Sequence, residues 1–192
     1  MEKIPTIFER DWDGDPSLVT AQGTPALDEC LKWDVVATVK WDGTACMVRD
    51  GMLFKRYTLK RGKKPPAGFE PTGEPDAKTG KQPGWVPVGD GPEDAAHREA
   101  FIADTLSNGA LANGTYELLG PKVQGNPYGM DEHTLTLHGK HQFTFTPEEP
   151  CRSYWGLRQW FEKNPFEGIV YWRNGKPVGK IKRRDFGLPW PP

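Results

Sequence analysis

Lys40 closes an apolar, β-branched run, Val35-Val36-Ala37-Thr38-Val39, and is followed at once by Trp41-Asp42-Gly43. A lysine at the end of a buried strand is costly unless it is paired or used. Desolvation and neighbouring cations lower a lysine's pKa and free the neutral amine to act as a nucleophile. Asp42 shares a face with Lys40 if the extended geometry persists, although Asp42-Gly43 is equally turn chemistry. Three later segments add to this residue. Tyr116-Glu117-Leu118-Leu119-Gly120 sets a carboxylate in an apolar strand, where Glu117 could accept hydrogen bonds from a ribose or simply face water from an edge. Phe166-Glu167-Gly168-Ile169-Val170 opens another apolar strand with Glu167, a position suited to a hydrated Mg²⁺ beside phosphates. In Lys180-Ile181-Lys182 the period of two sends both ammonium groups to one face and Ile181 to the other. Two such lysines repel unless an anion, such as a phosphate, lies between them.

The elements that must carry these side chains read mostly as strands. Residues 35–40 and 45–49 form an expected hairpin with Asp42-Gly43 in its turn. Asp50-Gly51 leads into a strand over 52–58. Further strands are expected at 115–119, 168–173 and 177–182, the last two joined by Asn174-Gly175, the strongest hairpin signal in the chain. A helix over 93–106 places Ala95, Phe101, Ile102 and Leu106 near one side. A second over 153–163 places Trp155, Leu157, Trp160 and Phe161 for packing and stops at Asn164-Pro165. Residues 60–92, rich in Lys, Gly and Pro, read as a long loop. The resulting class is α+β with antiparallel hairpins.

Read together, KWDG (40–43), YELLG (116–120), FEGIV (166–170) and KIK (180–182) resemble, in order, the motifs of the covalent nucleotidyltransferase superfamily of DNA ligases, RNA ligases and mRNA capping enzymes. PGWVPV (83–88), YELLGPKVQGNPYG (116–129) and EGIVYWRNGKPVGKIKRRDFGLPWP (167–191) are similar to the ATP-dependent RNA ligase family that includes the vertebrate 5′–3′ RNA ligase. The resemblance spans about residues 35–191. It implies a nucleotidyltransferase (adenylation) domain of packed antiparallel sheets flanked by helices.

The implied roles follow residue by residue. Lys40 is the nucleophile that attacks the α-phosphorus of ATP and forms lysyl-AMP, with Asp42 and Gly43 completing its motif. Arg56 contacts the AMP ribose or the RNA end. Glu117 binds the ribose hydroxyls, and Glu167 is the carboxylate associated with Mg²⁺ or Mn²⁺. Lys180 and Lys182 contact the α-phosphate and should depress the pKa of Lys40. Arg56, Arg61 and Lys122 are candidate RNA contacts. The implied reaction moves AMP to an RNA 5′-phosphate, after which a 3′-OH attacks and seals the strand. Alternatives are a minimal DNA ligase, a capping-type guanylyltransferase, or a nucleotide- or RNA-end-binding module without catalysis.

Composition bounds the rest. The chain has 192 residues and a net charge of -1, which argues against coating nucleic acid by bulk charge. The balance hides two basic blocks, 51–82 with 8 basic against 3 acidic side chains and 151–192 with 9 against 3. Ten residues follow Lys182, so the expectation is one minimal domain over 1–192, without an OB-fold. No apolar run or leader suggests a membrane. Cys30, Cys46 and Cys151 are odd in number and widely spaced, consistent with a reduced, cytoplasmic setting. No protein partner is implied and a monomer is expected. His133, His138 and His141 cluster, but a zinc site wants better spacing. Trp41, Phe54, Tyr171 and Trp172 are candidates to stack on adenine.

Overall fold

The computed structural model describes residues 4–143 and 153–191; Cys151 lies outside them. In chain order the elements are β1 (Phe8–Arg10), β2 (Val19–Gly23), α1 (Pro25–Cys30), β3 (Val36–Lys40), β4 (Thr44–Arg49), β5 (Met52–Leu59), β6 (Glu70–Pro71), β7 (Gln82–Pro87), α2 (Ala95–Asn108), β8 (Gly114–Leu119), β9 (Thr134–Leu137), α3 (Tyr154–Lys163), β10 (Gly168–Arg173) and β11 (Lys176–Lys182). Short 3-10 turns occupy Pro92–Asp94 and Arg183–Phe186. The class is α+β, with antiparallel sheets and few helices. Among the described residues, no helix is long and apolar enough to cross a membrane.

The chain divides into two compact units, Asp42–His138 and the described residues of 3–41 with 139–192. In the second unit the sheet order is β11-β10-β3, and β1 pairs with β2. Its inner face supplies Ala37, Ile169, Tyr171 and Ile181 to a core shared with Ile7, Phe8, and Leu157 and Phe161 of α3. Both edges of this sheet are extended by single segments. Lys180 N donates to Pro5 O (2.9 Å) and Ile7 N to Lys180 O (3.1 Å) on one side. On the other, Val39 N donates to His141 O and Phe143 N to Ala37 O, each 2.9 Å. These bonds satisfy backbone groups that an open edge would leave to solvent.

The unit Asp42–His138 is built on the order β6-β7-β5-β4-β8-β9. Cys46, Val48, Tyr116, Leu118 and Leu135 form its core with Ala100 of α2. Lys55 forms an ion pair with the buried Asp94, tying β5 to the turn that precedes α2.

Several local expectations give way to longer-range pairing. The hairpin expected between residues 35–40 and 45–49 does not form. β3 pairs with β10, and β4 pairs with β5 and β8, so Trp41-Asp42-Gly43 links two sheets instead of turning one strand back on itself. The segment 60–92, read as loop, contains β6 and β7. β7 lies between β5 and β6, and the Arg49 guanidinium grips Glu70 of β6 with two bonds, 2.7 and 2.8 Å. Three further strands and a helix, β1, β2, β9 and α1, carry too little periodicity to be read from sequence.

The helix faces also differ from expectation. In α2, Ile102 and Leu106 are exposed. The face turned to β9 instead carries Asp104, whose Oδ2 accepts from Leu135 N at 2.6 Å. In α3, Ser153 caps the first turn by accepting from Gly156 N (3.1 Å). Asn164, before Pro165, is extended and ends the helix. Leu157 and Phe161 are fully buried, whereas Trp155 is 66% exposed. Two positions span about 200° of helix, so Trp155 stands opposite Leu157. Leu157→Ala is therefore expected to cost about 2–5 kcal/mol of unfolding free energy, and Trp155→Ala to stay within about 0.5 kcal/mol, as read by chemical denaturation.

Candidate active site

Strand register places three lysines on one face of the sheet β11-β10-β3. Gly168 lies opposite Lys40 on one side and Lys182 on the other, and Val170 lies opposite Thr38 and Lys180. Alternation directs Lys40, Lys180 and Lys182 away from the face that buries Ile169, Tyr171 and Ile181. The close approach needs glycine at 168. A Cβ there would sit 2.5 Å from Ile181 O and 3.3 Å from Lys40 Cδ.

Glu167 precedes this glycine and is buried. One carboxylate oxygen pairs with Lys40 Nζ, and the other with Lys182 Nζ at 2.9 Å. The protein thus supplies its own anion between two of the three cations. Burial, followed by the charges of Lys182 and Lys40, holds the Lys180 ammonium below its ordinary pKa. Arg183, just beyond β11, has a structural use. Its backbone N donates to Glu167 O (2.8 Å), and its guanidinium donates to Pro189 O (2.7 Å), Asn164 O (3.3 Å) and Phe161 O. Lys182 N donates to Asp185 Oδ2 at 2.8 Å, which fixes the exit of β11.

The unit Asp42–His138 holds the other expected site residues. Glu117 Oε1 accepts from Gly43 N (3.1 Å), and Oε2 lies 2.8 Å from His138 Nε2. A carboxylate only accepts, so His138 Nε2 carries the proton toward it, while Nδ1 meets Thr115 Oγ1 at 3.0 Å. A Cβ at Gly43 would collide with Leu118 O, which explains glycine at that point of the motif. Asp42 N donates to the Tyr128 hydroxyl (2.8 Å), and Gln124 Nε2 reaches Gly43 O (3.3 Å). Tyr128, in the turn segment Gly125-Asn126-Pro127-Tyr128-Gly129, thereby holds the backbone of the KWDG motif. His138, read from sequence only as one of three clustered histidines, orients Glu117.

Arg56 faces Trp85, with its guanidinium 5.3 Å from the ring, and its Nη1 is buried without a hydrogen-bond partner among the described residues. Burial holds its pKa below the usual arginine value. An orphaned guanidinium N–H fits a phosphate or ribose oxygen. Arg61 is exposed in the turn after β5, and Lys122 is exposed at a cavity of about 400 Å³ that also admits His97, Glu99 and His133. Burial, then the Glu117 charge, pushes the Cys46 thiol up to about 12, which leaves it a poor nucleophile.

Of the aromatic candidates, Phe54 and Tyr171 are buried and cannot receive a base. Trp172 shares the lysine face through its register with Val36, and its Nε1 donates to Thr38 Oγ1 (2.9 Å). Trp41 packs edge-on to His141 and Phe166. The clustered histidines serve separate neighbours, since His133 Nδ1 lies 2.9 Å from Glu99.

Three ammonium groups around one carboxylate fit a polyphosphate. Among the described residues, no group of three His, Cys, Asp or Glu side chains is placed to hold a metal by itself. A Mg²⁺ at Glu167 would rest on that carboxylate and on oxygens brought by the nucleotide, the usual manner for this ion.

A family model described as RNA ligase 1 matches residues 93–192, which include Glu117, Lys122, Glu167, Lys180 and Lys182. The chain is similar to the RNA ligase 1 of Mus musculus, 26% identical across 98% of this chain and 81% of that protein. It is also similar to that of Rattus norvegicus, 24% identical across 98% and 82%. With the RNA ligase 1 of Pongo abelii it shares 34% identity over 89 residues, 42% of this chain and 26% of that protein.

The lysine cluster is held at a cost in stability. Lys180→Met removes a crowded ammonium and is expected to raise unfolding free energy by about 0.5–2 kcal/mol. The native pKa of Lys180 lies below its unfolded value, so the unfolded chain binds more protons in the interval and the penalty fades as pH rises through it. The gain in Tm from Lys180→Met should therefore be larger near about pH 7 than near about pH 10, as measured by thermal denaturation.

Proposed function

From the premise that the chain belongs to the RNA ligase 1 family, we propose that it is an ATP-dependent RNA ligase built on a nucleotidyltransferase core, joining a 5′-phosphate to a 3′-hydroxyl through a lysyl-AMP. The observation that carries this reading is the Lys40–Glu167–Lys182 cluster, held on one sheet face by the register at Gly168.

Lys40 must lose its proton to solvent before it can attack, and Glu167, paired with its ammonium in the free protein, positions Nζ. Lys40 Nζ then bonds to the α-phosphorus of ATP as the bond to pyrophosphate breaks. Lys180 and Lys182 stabilise the charge on the phosphate oxygens, in a reaction that depends mainly on alignment and electrostatics. Glu117, oriented by His138 and the Gly43 N–H, accepts from the ribose hydroxyls. Arg56 places its unpaired N–H on the nucleotide or the RNA end. Mg²⁺ or Mn²⁺, when bound at Glu167 with the phosphates, adds positive charge. In the second step an RNA 5′-phosphate oxygen takes the adenylyl group from Lys40. In the third step a 3′-OH attacks the activated phosphate, forms the phosphodiester and releases AMP.

With α-labelled ATP and Mg²⁺, the protein is expected to carry a covalent label on a denaturing gel, and Lys40→Ala to carry none. Lys180→Ala and Lys182→Ala should label about 10²–10³-fold more slowly. Label from GTP alone would assign capping-type chemistry, and sealing of 5′-phosphorylated DNA in preference to RNA would overturn the substrate.

A further inference from the structure

A groove of about 810 Å³ runs along the outer side of β11, within the unit formed by the two ends of the chain. Its charged walls are Arg10, Lys180, Lys182 and Arg184 against one carboxylate, Asp185, and Trp12 stands at its rim, 73% exposed. None of the sequence motifs reaches Arg10 or Trp12. The groove is a built feature, since the N-terminal segment that walls it is hydrogen-bonded to Lys180 through Pro5 O (2.9 Å) and Ile7 N (3.1 Å). Arg10 Nη1 is fixed by Asp185 Oδ1 and Ser17 O, each at 2.8 Å, and Arg184 Nη2 by Trp190 O at 2.9 Å. A guanidinium has five N–H donors, so each arginine keeps others for a ligand.

Asp11 and Asp13 adjoin Trp12 in sequence and Asp15 lies three residues on, none of them lining the groove. Asp11 Oδ1 is turned to Gly14 N (3.0 Å) and Asp15 Oδ1 to Ser17 N (2.8 Å). Phosphates are drawn to the cations of the wall, while a neutral base is free to lie on the exposed indole. Cationic walls with an exposed aromatic side chain in the same groove are the chemistry that binds single-stranded nucleic acid.

We propose that this groove holds the single-stranded RNA end, with backbone phosphates on Arg184 and Arg10 beside Lys180 and Lys182, and a base stacked on Trp12. The inference rests on the RNA-ligase reading for the identity of the polymer. It also places the RNA beside the lysines that act on the phosphates, on the same unit.

The test is fluorescence anisotropy with a 5′-phosphorylated single-stranded oligoribonucleotide, with labelling by α-labelled ATP run in parallel. Trp12→Ala should weaken RNA binding about ten-fold. Arg184→Ala should weaken it and reduce the slope of log K against log salt by about 0.7. Trp155→Ala, which removes an exposed tryptophan elsewhere, should bind RNA like the parent chain. RNA affinity equal to the parent in both Trp12→Ala and Arg184→Ala would overturn the proposal, as would a parent chain that binds no RNA. A raised ATP requirement for labelling in Arg184→Ala with RNA affinity intact would overturn it too, and assign the groove to the triphosphate of ATP. Loss of RNA binding in Trp12→Ala by a chain that takes no label from ATP would sustain the groove while sinking the ligase mechanism.

Discussion

Three like charges on one sheet face are unstable without an anion, and Glu167 supplies it. Its buried carboxylate touches Lys40 and Lys182 at once, which is possible because Gly168 lets the Lys40 stem pass over β10. Much of the unit around it serves to hold that arrangement. The register of β3 against β10 brings Lys40 to position, and that of β10 against β11 brings Lys182. Arg183 ties the Glu167 backbone and the end of α3 to the C-terminal segment. Lys180 has no such contact with Glu167, and burial, then the charges of Lys182 and Lys40, holds its ammonium below the ordinary lysine pKa.

The same principle, a charged group oriented by a neighbour, governs the unit Asp42–His138. Glu117 is held by the Gly43 N–H and by His138, whose ring is in turn set by Thr115. The Tyr128 hydroxyl fixes Asp42. Tyr128 and His138 therefore act through the motif residues they support. Arg56 differs, in that a buried N–H without a partner is costly in the free protein and favourable once an oxygen ligand arrives.

Local signals in this sequence match the structure where a turn sets the pairing, and diverge from it where distant strands do. The hairpin of β10 and β11 is legible because Asn174-Gly175 takes positive φ at both positions (50° and 72°), the requirement of its tight turn. The hairpin expected at Asp42-Gly43 fails because β3 pairs with β10, from Gly168 opposite Lys40 to Trp172 opposite Val36, an apolar strand distant in the chain. β7 was hidden by proline and glycine, residues that read as loop. Here Pro83 and Pro87 lie near the strand's ends, and Trp85, Val86 and their partners on β5 decide the outcome. The outward turn of Ile102 follows from Asp104, whose bond to Leu135 N could not be known from helical period alone.

The chain alone specified the candidate site residues and their order, because motif spacing and strand alternation are local properties. It placed Lys180 and Lys182 on one face and Ile181 on the other, as the sheet has them. It also determined the α+β class and the excess of positive charge in two blocks. Only the tertiary structure decided that Glu167 neutralises Lys40 and Lys182, that His138 and Tyr128 support Glu117 and Asp42, and that the N-terminal segment brings Arg10 and Trp12 to the edge of β11. Each of these joins residues distant in the chain, and such contacts are set by sheet register and by the satisfaction of buried polar groups.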